Sequence, residues 1–138
     1  MVTKGTYVLF FEIPSTRVVE VGRLGRFVFH QGLYAYVGSA MNGLENRVAR
    51  HMAGEKRLRW HIDHLTSVGQ ARMALLFFDD KAPECELNRR VESLSTFPHP
   101  VRGFGSSDCR CRSHLHHLTE EDLGSMLDQL GHDDMVLP

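Results

Sequence analysis

The sequence has no apolar run approaching the ~20 residues that a membrane-crossing helix requires, and its first residues lack the basic-then-apolar pattern of a secretory leader. A membrane protein is therefore not expected, and the cytoplasm is the expected compartment. Cysteine is scarce: there are three, an odd number, with Cys109 and Cys111 too close together for an easy mutual bridge. This excludes the disulfide framework of a small secreted domain and predicts reduced thiols. No repeat, low-complexity segment or linker divides the 138 residues, a length that suits one domain with one core. That domain is expected to span residues 1–131, with 119–131 as an acidic closing helix and 132–138 as a flexible tail.

Net charge is also nearly missing, at −1, but the balance hides an asymmetry. Residues 119–138 carry six acidic side chains and no Lys or Arg, which leaves +5 on residues 1–118. Much of this positive charge is local: Arg47, Arg50, Lys56, Arg57 and Arg59 are opposed only by Glu55 between positions 47 and 59. Such a cluster can follow phosphates, and charge alone equally fits a solvated helix face and loop.

The patterning that is present centres on residues 32–51. Tyr34, Tyr36 and Val37 are strand formers, residues 38–43 carry turn chemistry, and Leu44, Val48 and Met52 recur at helical spacing. Arg47 and His51 are four residues apart and project from one face beside the apolar stripe. Ahead of this, residues 5–13 alternate with both faces apolar, Tyr7, Leu9 and Phe11 on one and Val8 and Phe10 on the other, as in a strand covered on two sides. Two short strands around residues 22–25 form a hairpin, so four strands precede the first helix. A short helix near His61, Asp63 and His64, a strand at 71–78, a helix opened by Pro83 and a last strand at 113–118 complete the expected core. Glu84 is placed one turn ahead of Leu87 and Asn88, near the core edge. The capping box at residues 119–122 starts the closing helix.

With Gly5-Thr6-Tyr7 on the first strand, Tyr36-Val37-Gly38 on the central one, an arginine on the next helix and a glutamate on a later one, the chain resembles the GIY-YIG nucleases. More narrowly it is similar to the compact Uri-superfamily branch, found alone or fused to endonuclease III-type proteins. Arg50-His51, Trp60-His61-Ile62-Asp63, and residues 103–109 with Cys111 and His114-Leu115 support the narrower match, over roughly residues 4–118. It implies an α/β domain of the α+β type, a small, mainly antiparallel sheet flanked by helices, here with a hairpin inserted between the two tyrosine motifs. It further implies a metal-dependent endonuclease hydrolysing phosphodiester bonds in DNA, with Tyr7 or Tyr36 activating water, Arg47 clamping the phosphate and Glu84 holding one Mg²⁺ or Mn²⁺. Gly43, an extra residue in the turn, leaves Arg50 as the alternative to Arg47. A phenol with a reference pKa near ~10 is a poor base unless cations favour its ionised form, and His51 can share that role or orient a tyrosine.

Arg50, Lys56, Arg57 and Arg59 are the expected nucleic-acid contacts, and His61, Asp63 and Asp108 the expected supports. Single-stranded, branched and damaged DNA remain open as substrates, as do monomer and homodimer. Cys109, Cys111 and His114, with His116 and His117 nearby, are zinc-type donors, but Cys-x-Cys is tighter than a structural knuckle, and buried thiols beside a loop are the reading taken. Two alternatives stand beside the nuclease: a catalytically silent nucleic-acid-binding module of the same fold, and a zinc-stabilised interaction protein.

Overall fold

The doubly apolar alternation of the first strand decides the architecture, because a segment with two oily faces must lie between two layers. In the computed structural model, which describes residues 3–53, 60–98, 100–106 and 109–138, this segment is β1 (Gly5–Ile13). It is followed by β2 (Arg17–Val21), β3 (Gly25–Phe29), β4 (Gly32–Ala40), α1 (Leu44–Met52), α2 (His61–Thr66), β5 (Gln70–Phe78), α3 (Glu84–Leu94), β6 (Leu115–Leu118), α4 (Glu120–Gln129) and β7 (Asp134–Val136). The fold is α+β: a five-stranded antiparallel sheet in the order β6-β4-β1-β5-β7, a separate β2-β3 hairpin and, among the described residues, four α-helices.

β1 lies at the centre, pairing with β4 from Gly5↔Ala40 to Ile13↔Gly32 and with β5 from Gly5↔Phe78 to Glu12↔Gln70. On one face Tyr7, Leu9, Phe11 and Ile13 pack with Tyr34, Tyr36, Leu44, Val48, Ile62, Leu65 and Phe104, so α1, α2 and the hairpin cover this side. On the other face Val8 and Phe10 pack with Leu87, Val91, Leu123 and Met126 of α3 and α4. Each such side chain, taken fully out of water, contributes roughly 1.5–3 kcal/mol. The central strands are thereby held rigidly, and the site is built on them.

Two elements differ from expectation at the C-terminal end. The strand expected at 113–118 is present as β6 (Leu115–Leu118), beside β4, but it is not the last. Residues 134–136 are not loose, because β7 pairs with β5 from Ala74↔Val136 to Leu76↔Asp134. Asp133 seats it, receiving hydrogen bonds from the Phe78 N–H at 2.7 Å and Lys81 Nζ at 3.0 Å while its own N–H donates to the Leu76 carbonyl. A three-residue strand with exposed Asp134 and Met135 leaves little periodicity to read.

Candidate active site and metal centre

Tyr7 and Tyr36 both point to the face covered by α1, as their positions on adjacent strands dictate. Their rings are 6.2 Å apart between centroids. α1 begins at Gly43, whose φ of 63° suits a residue without Cβ, and its buried stripe is Leu44, Val48 and His51. His51 therefore points inwards, and its Nε2 lies 2.7 Å from the Tyr7 hydroxyl. Tyr7 is paired with Gly38 across β1 and β4, and its ring crosses directly over that glycine: a Cβ on Gly38 would run into the Tyr7 ring and hydroxyl. Gly105, with φ 67°, lies similarly against Tyr36, where a Cβ would sit 2.8 Å from the ring.

Arg47, one turn before His51, reaches over the mouth of this site. Its Nη1 donates to the Ser39 carbonyl at 2.8 Å, and its guanidinium lies 4.5 Å from the Trp60 ring centroid. Tyr7, Tyr36, Ser39, Arg47, His61 and Glu84 line one open cleft of about 310 Å³. Burial raises both tyrosine pKa values above the ordinary phenol range, with Arg47 pulling the other way, so both are phenols rather than phenolates. His61 accepts the Gly105 N–H on Nδ1 at 2.9 Å; burial, reinforced by His64, lowers its pKa. Burial opposes a charge on Glu84, but hydrogen bonds from His114 and Ser39, with the charges of His114 and Arg47, outweigh it and hold the carboxyl below its usual range.

Arg47 rather than Arg50 faces the cleft. Arg50 donates through Nη1 to Oδ1 of the fully buried Asp63 at 2.7 Å, while the other Asp63 oxygen accepts the Trp60 N–H at 2.8 Å. Asp63 also lies 4.0 Å from His51 Nδ1. It joins α1 to the start of α2, and His61 is both a support for the 103–106 loop and part of the cleft wall. Lys56, Arg57, Arg59 and Asp108 lie outside the described residues.

Behind Glu84, on the same turn of α3, a second cluster forms. The sulfurs of Cys85, Cys109 and Cys111 and a ring nitrogen of His114 all lie within 4.8 Å of one another. This Cys₃His donor set is consistent with a zinc-type site. Burial and the neighbouring Cys111 and Cys109 push the Cys85 thiol up to about 12, because thiolates this close repel one another until a cation joins them. His114 belongs to both places. Its Nδ1 lies 3.1 Å from the Val37 carbonyl and 3.0 Å from Glu84 Oε2, and its Nε2 lies 3.4 Å from Cys109 Sγ. Burial disfavours a positive charge on the ring, yet Glu84 and Cys109 outweigh burial and raise its pKa. The other two histidines go elsewhere: His116 Nε2 donates to Asn88 Oδ1 at 2.8 Å, and His117 stacks on Tyr34 at 4.5 Å.

Sequence reasoning missed Cys85 as a fourth donor and Trp60 as the platform under Arg47 and Arg50, whose guanidinium lies 4.6 Å from the same ring. The position of Cys85 beside Glu84 was the available signal for the first. For the second, the basic flank of Trp60 pointed to cation–π contact.

Neither the curated proteins nor the solved structures hold a match to this sequence. A family model does match it, over residues 6–134, and the chain accordingly belongs to the family described as Domain of unknown function DUF123.

Proposed function

We propose that the protein is a metal-dependent phosphodiesterase that cuts nucleic acid, with DNA as its substrate. The observation that carries this reading is the convergence of Tyr7, Tyr36, Arg47 and Glu84, from four separate elements, on one open cleft, with buried His51 behind it on the Tyr7 hydroxyl. A phosphodiester is anionic and resists hydrolysis, so it needs charge neutralisation, a positioned water and a place for the proton. Arg47 supplies a planar fork matched to phosphate oxygens. Tyr7, held neutral, accepts a proton from the attacking water as its own hydroxyl proton passes to His51 Nε2. Water oxygen bonds to phosphorus, the P–O bond to the departing group breaks, and that oxygen takes a proton from solvent.

Among the described residues lining the cleft, Glu84 is the one carboxylate. That donor set fits a hard cation that keeps several waters, such as Mg²⁺ or Mn²⁺, rather than a closed protein cage. The ion would neutralise phosphate charge beside Arg47.

A second reading is a zinc-stabilised binding or interaction module without turnover. The Cys85, Cys109, Cys111 and His114 cluster favours it, since it assembles a full set of four donors where the cleft offers one carboxylate. Labelled single-stranded, duplex, flapped and branched DNAs separate the two, incubated with Mg²⁺, Mn²⁺ or EDTA and scored for both binding and cutting. The phosphodiesterase reading expects metal-dependent cutting that falls by about 10²–10³-fold in Arg47→Ala and Glu84→Gln while Glu84→Gln still binds. Binding without cutting under every metal establishes the second.

A further inference from the structure

We propose that Cys85, Cys109, Cys111 and Nε2 of His114 hold one zinc ion, and that His114, gripped by this ion, positions Glu84 in the cleft through its Nδ1–H. The tautomer follows from the neighbours. Both groups facing Nδ1, the Val37 carbonyl and the Glu84 carboxylate, are acceptors, so the hydrogen sits on Nδ1. In the neutral ring the Nε2 lone pair then faces Cys109 Sγ, 3.4 Å away.

The backbone prepares this orientation. The Val37 N–H donates to the His114 carbonyl at 3.0 Å and the His114 N–H to the Phe104 carbonyl at 2.8 Å, which fixes the residue against strand β4. His114 and Val37 thus exchange contacts through both backbone and ring. Tetrahedral zinc with bonds of ~2.3 Å separates its ligand atoms by ~3.7 Å, so donor atoms that already lie within 4.8 Å of one another need only a small side-chain adjustment. Three thiolates and an imidazole form a soft, closed set that selects zinc over magnesium or calcium, and the three thiol protons leave to solvent. A carboxylate that receives the second N–H of a ligating histidine completes the usual support of such sites. Here that carboxylate is itself a wall of the cleft. The ligand assignment stands independently; the positioning of Glu84 rests on the phosphodiesterase reading.

Elemental analysis of the purified full chain and the visible spectrum of its cobalt-substituted form test the ligands. One zinc per chain and a tetrahedral cobalt spectrum with thiolate charge transfer are expected, both weakened in Cys85→Ser. Substoichiometric metal, iron in place of zinc, or an octahedral cobalt spectrum overturns the site. His114→Cys then separates the two roles, because it keeps a fourth zinc ligand but cannot donate to Glu84. Retained zinc with Mn²⁺ affinity and DNA cutting both reduced by roughly 10–100-fold is expected, the affinity read by electron paramagnetic resonance. Unchanged Mn²⁺ affinity in zinc-loaded His114→Cys overturns the positioning role. Zinc in a wild-type protein that neither binds Mn²⁺ nor cuts DNA refutes that role together with the phosphodiesterase reading, and leaves the zinc site standing.

Discussion

The Tyr7 hydroxyl and His51 Nε2 meet at 2.7 Å inside the protein although they lie 44 residues apart in the chain. Each partner is buried, with exposures of 2% and 1%, so neither is exchanged readily for water. The contact joins the central strand to α1 and gives a phenol that burial keeps protonated a route for its proton.

Removing that hydroxyl separates chemistry from stability. Tyr7→Phe keeps the ring over Gly38 and is expected to cost about 1 kcal/mol, the usual net worth of one hydrogen bond. Cutting of DNA should fall much further, by roughly 10²–10⁴-fold, the range of one general acid–base partner. Urea unfolding measures the first effect and single-turnover cleavage the second. A Tyr7→Phe protein as active as wild type would move the base role to Tyr36.

The glycine opposite Tyr7 gives a steric counterpart. Gly38→Ala introduces a Cβ where the Tyr7 ring lies, so the ring must shift away from His51 or the strands must part. Overpacking of this kind costs about 1–3 kcal/mol. Gly38→Ala is expected to lower the melting temperature and to lose activity, whereas Gly124→Ala, on the surface of α4 with nothing within 4 Å of the added carbon, should do neither.

Much of this arrangement was legible because it follows period-two and helical spacing. Alternation in β1 and β4 put Tyr7 and Tyr36 on one face, four-residue spacing put Arg47 beside His51, and Pro83 set Glu84 at the start of α3. What was hidden depends on how distant segments pack. Cys85 stands 24 residues before Cys109, and nothing local shows that α3 carries it to the 109–111 loop. The same holds for Arg50, whose charge reads as a phosphate contact until Asp63 arrives from α2 to bind it. Similarly, His114, His116 and His117 form one run in the chain but face Glu84 and Cys109, Asn88, and Tyr34 respectively.

The two arginines of α1 are therefore expected to fail in different ways. Arg50→Ala removes an ion pair from the Asp63 carboxylate, which is 0% exposed. Breaking a fully buried pair costs about 3–5 kcal/mol; because 26% of the Arg50 side chain reaches solvent, a loss of about 2–3 kcal/mol is expected. Arg47→Ala should unfold near the wild-type midpoint yet lower the salt dependence of DNA binding by about one phosphate contact. Equal unfolding midpoints for both variants would contradict this division.

At the other end of the sheet, Asp122 ties α4 to the segment before the cysteine loop. Its carboxylate receives hydrogen bonds from the Thr96 N–H at 2.8 Å, the Thr96 hydroxyl at 2.9 Å and the Thr119 N–H at 3.0 Å, while its own N–H donates to Thr119 Oγ1. Partial burial works against the charge, but the bonds from Thr119 and Thr96 prevail and lower its pKa. A carboxyl whose pKa is lower folded than unfolded stabilises the protein above the unfolded value, ~3.9, and loses that contribution as pH falls through the folded value. Asp122→Ala should therefore cost about 1–2 kcal/mol at pH 7, as for other lost helix caps. The gap from wild type should narrow below pH ~4, as protonation removes the charge-assisted part of the wild-type bonds. Urea unfolding of both proteins at pH 7 and again in acid measures it, and a gap that does not change with pH would show that the carboxylate charge contributes nothing to seating α4.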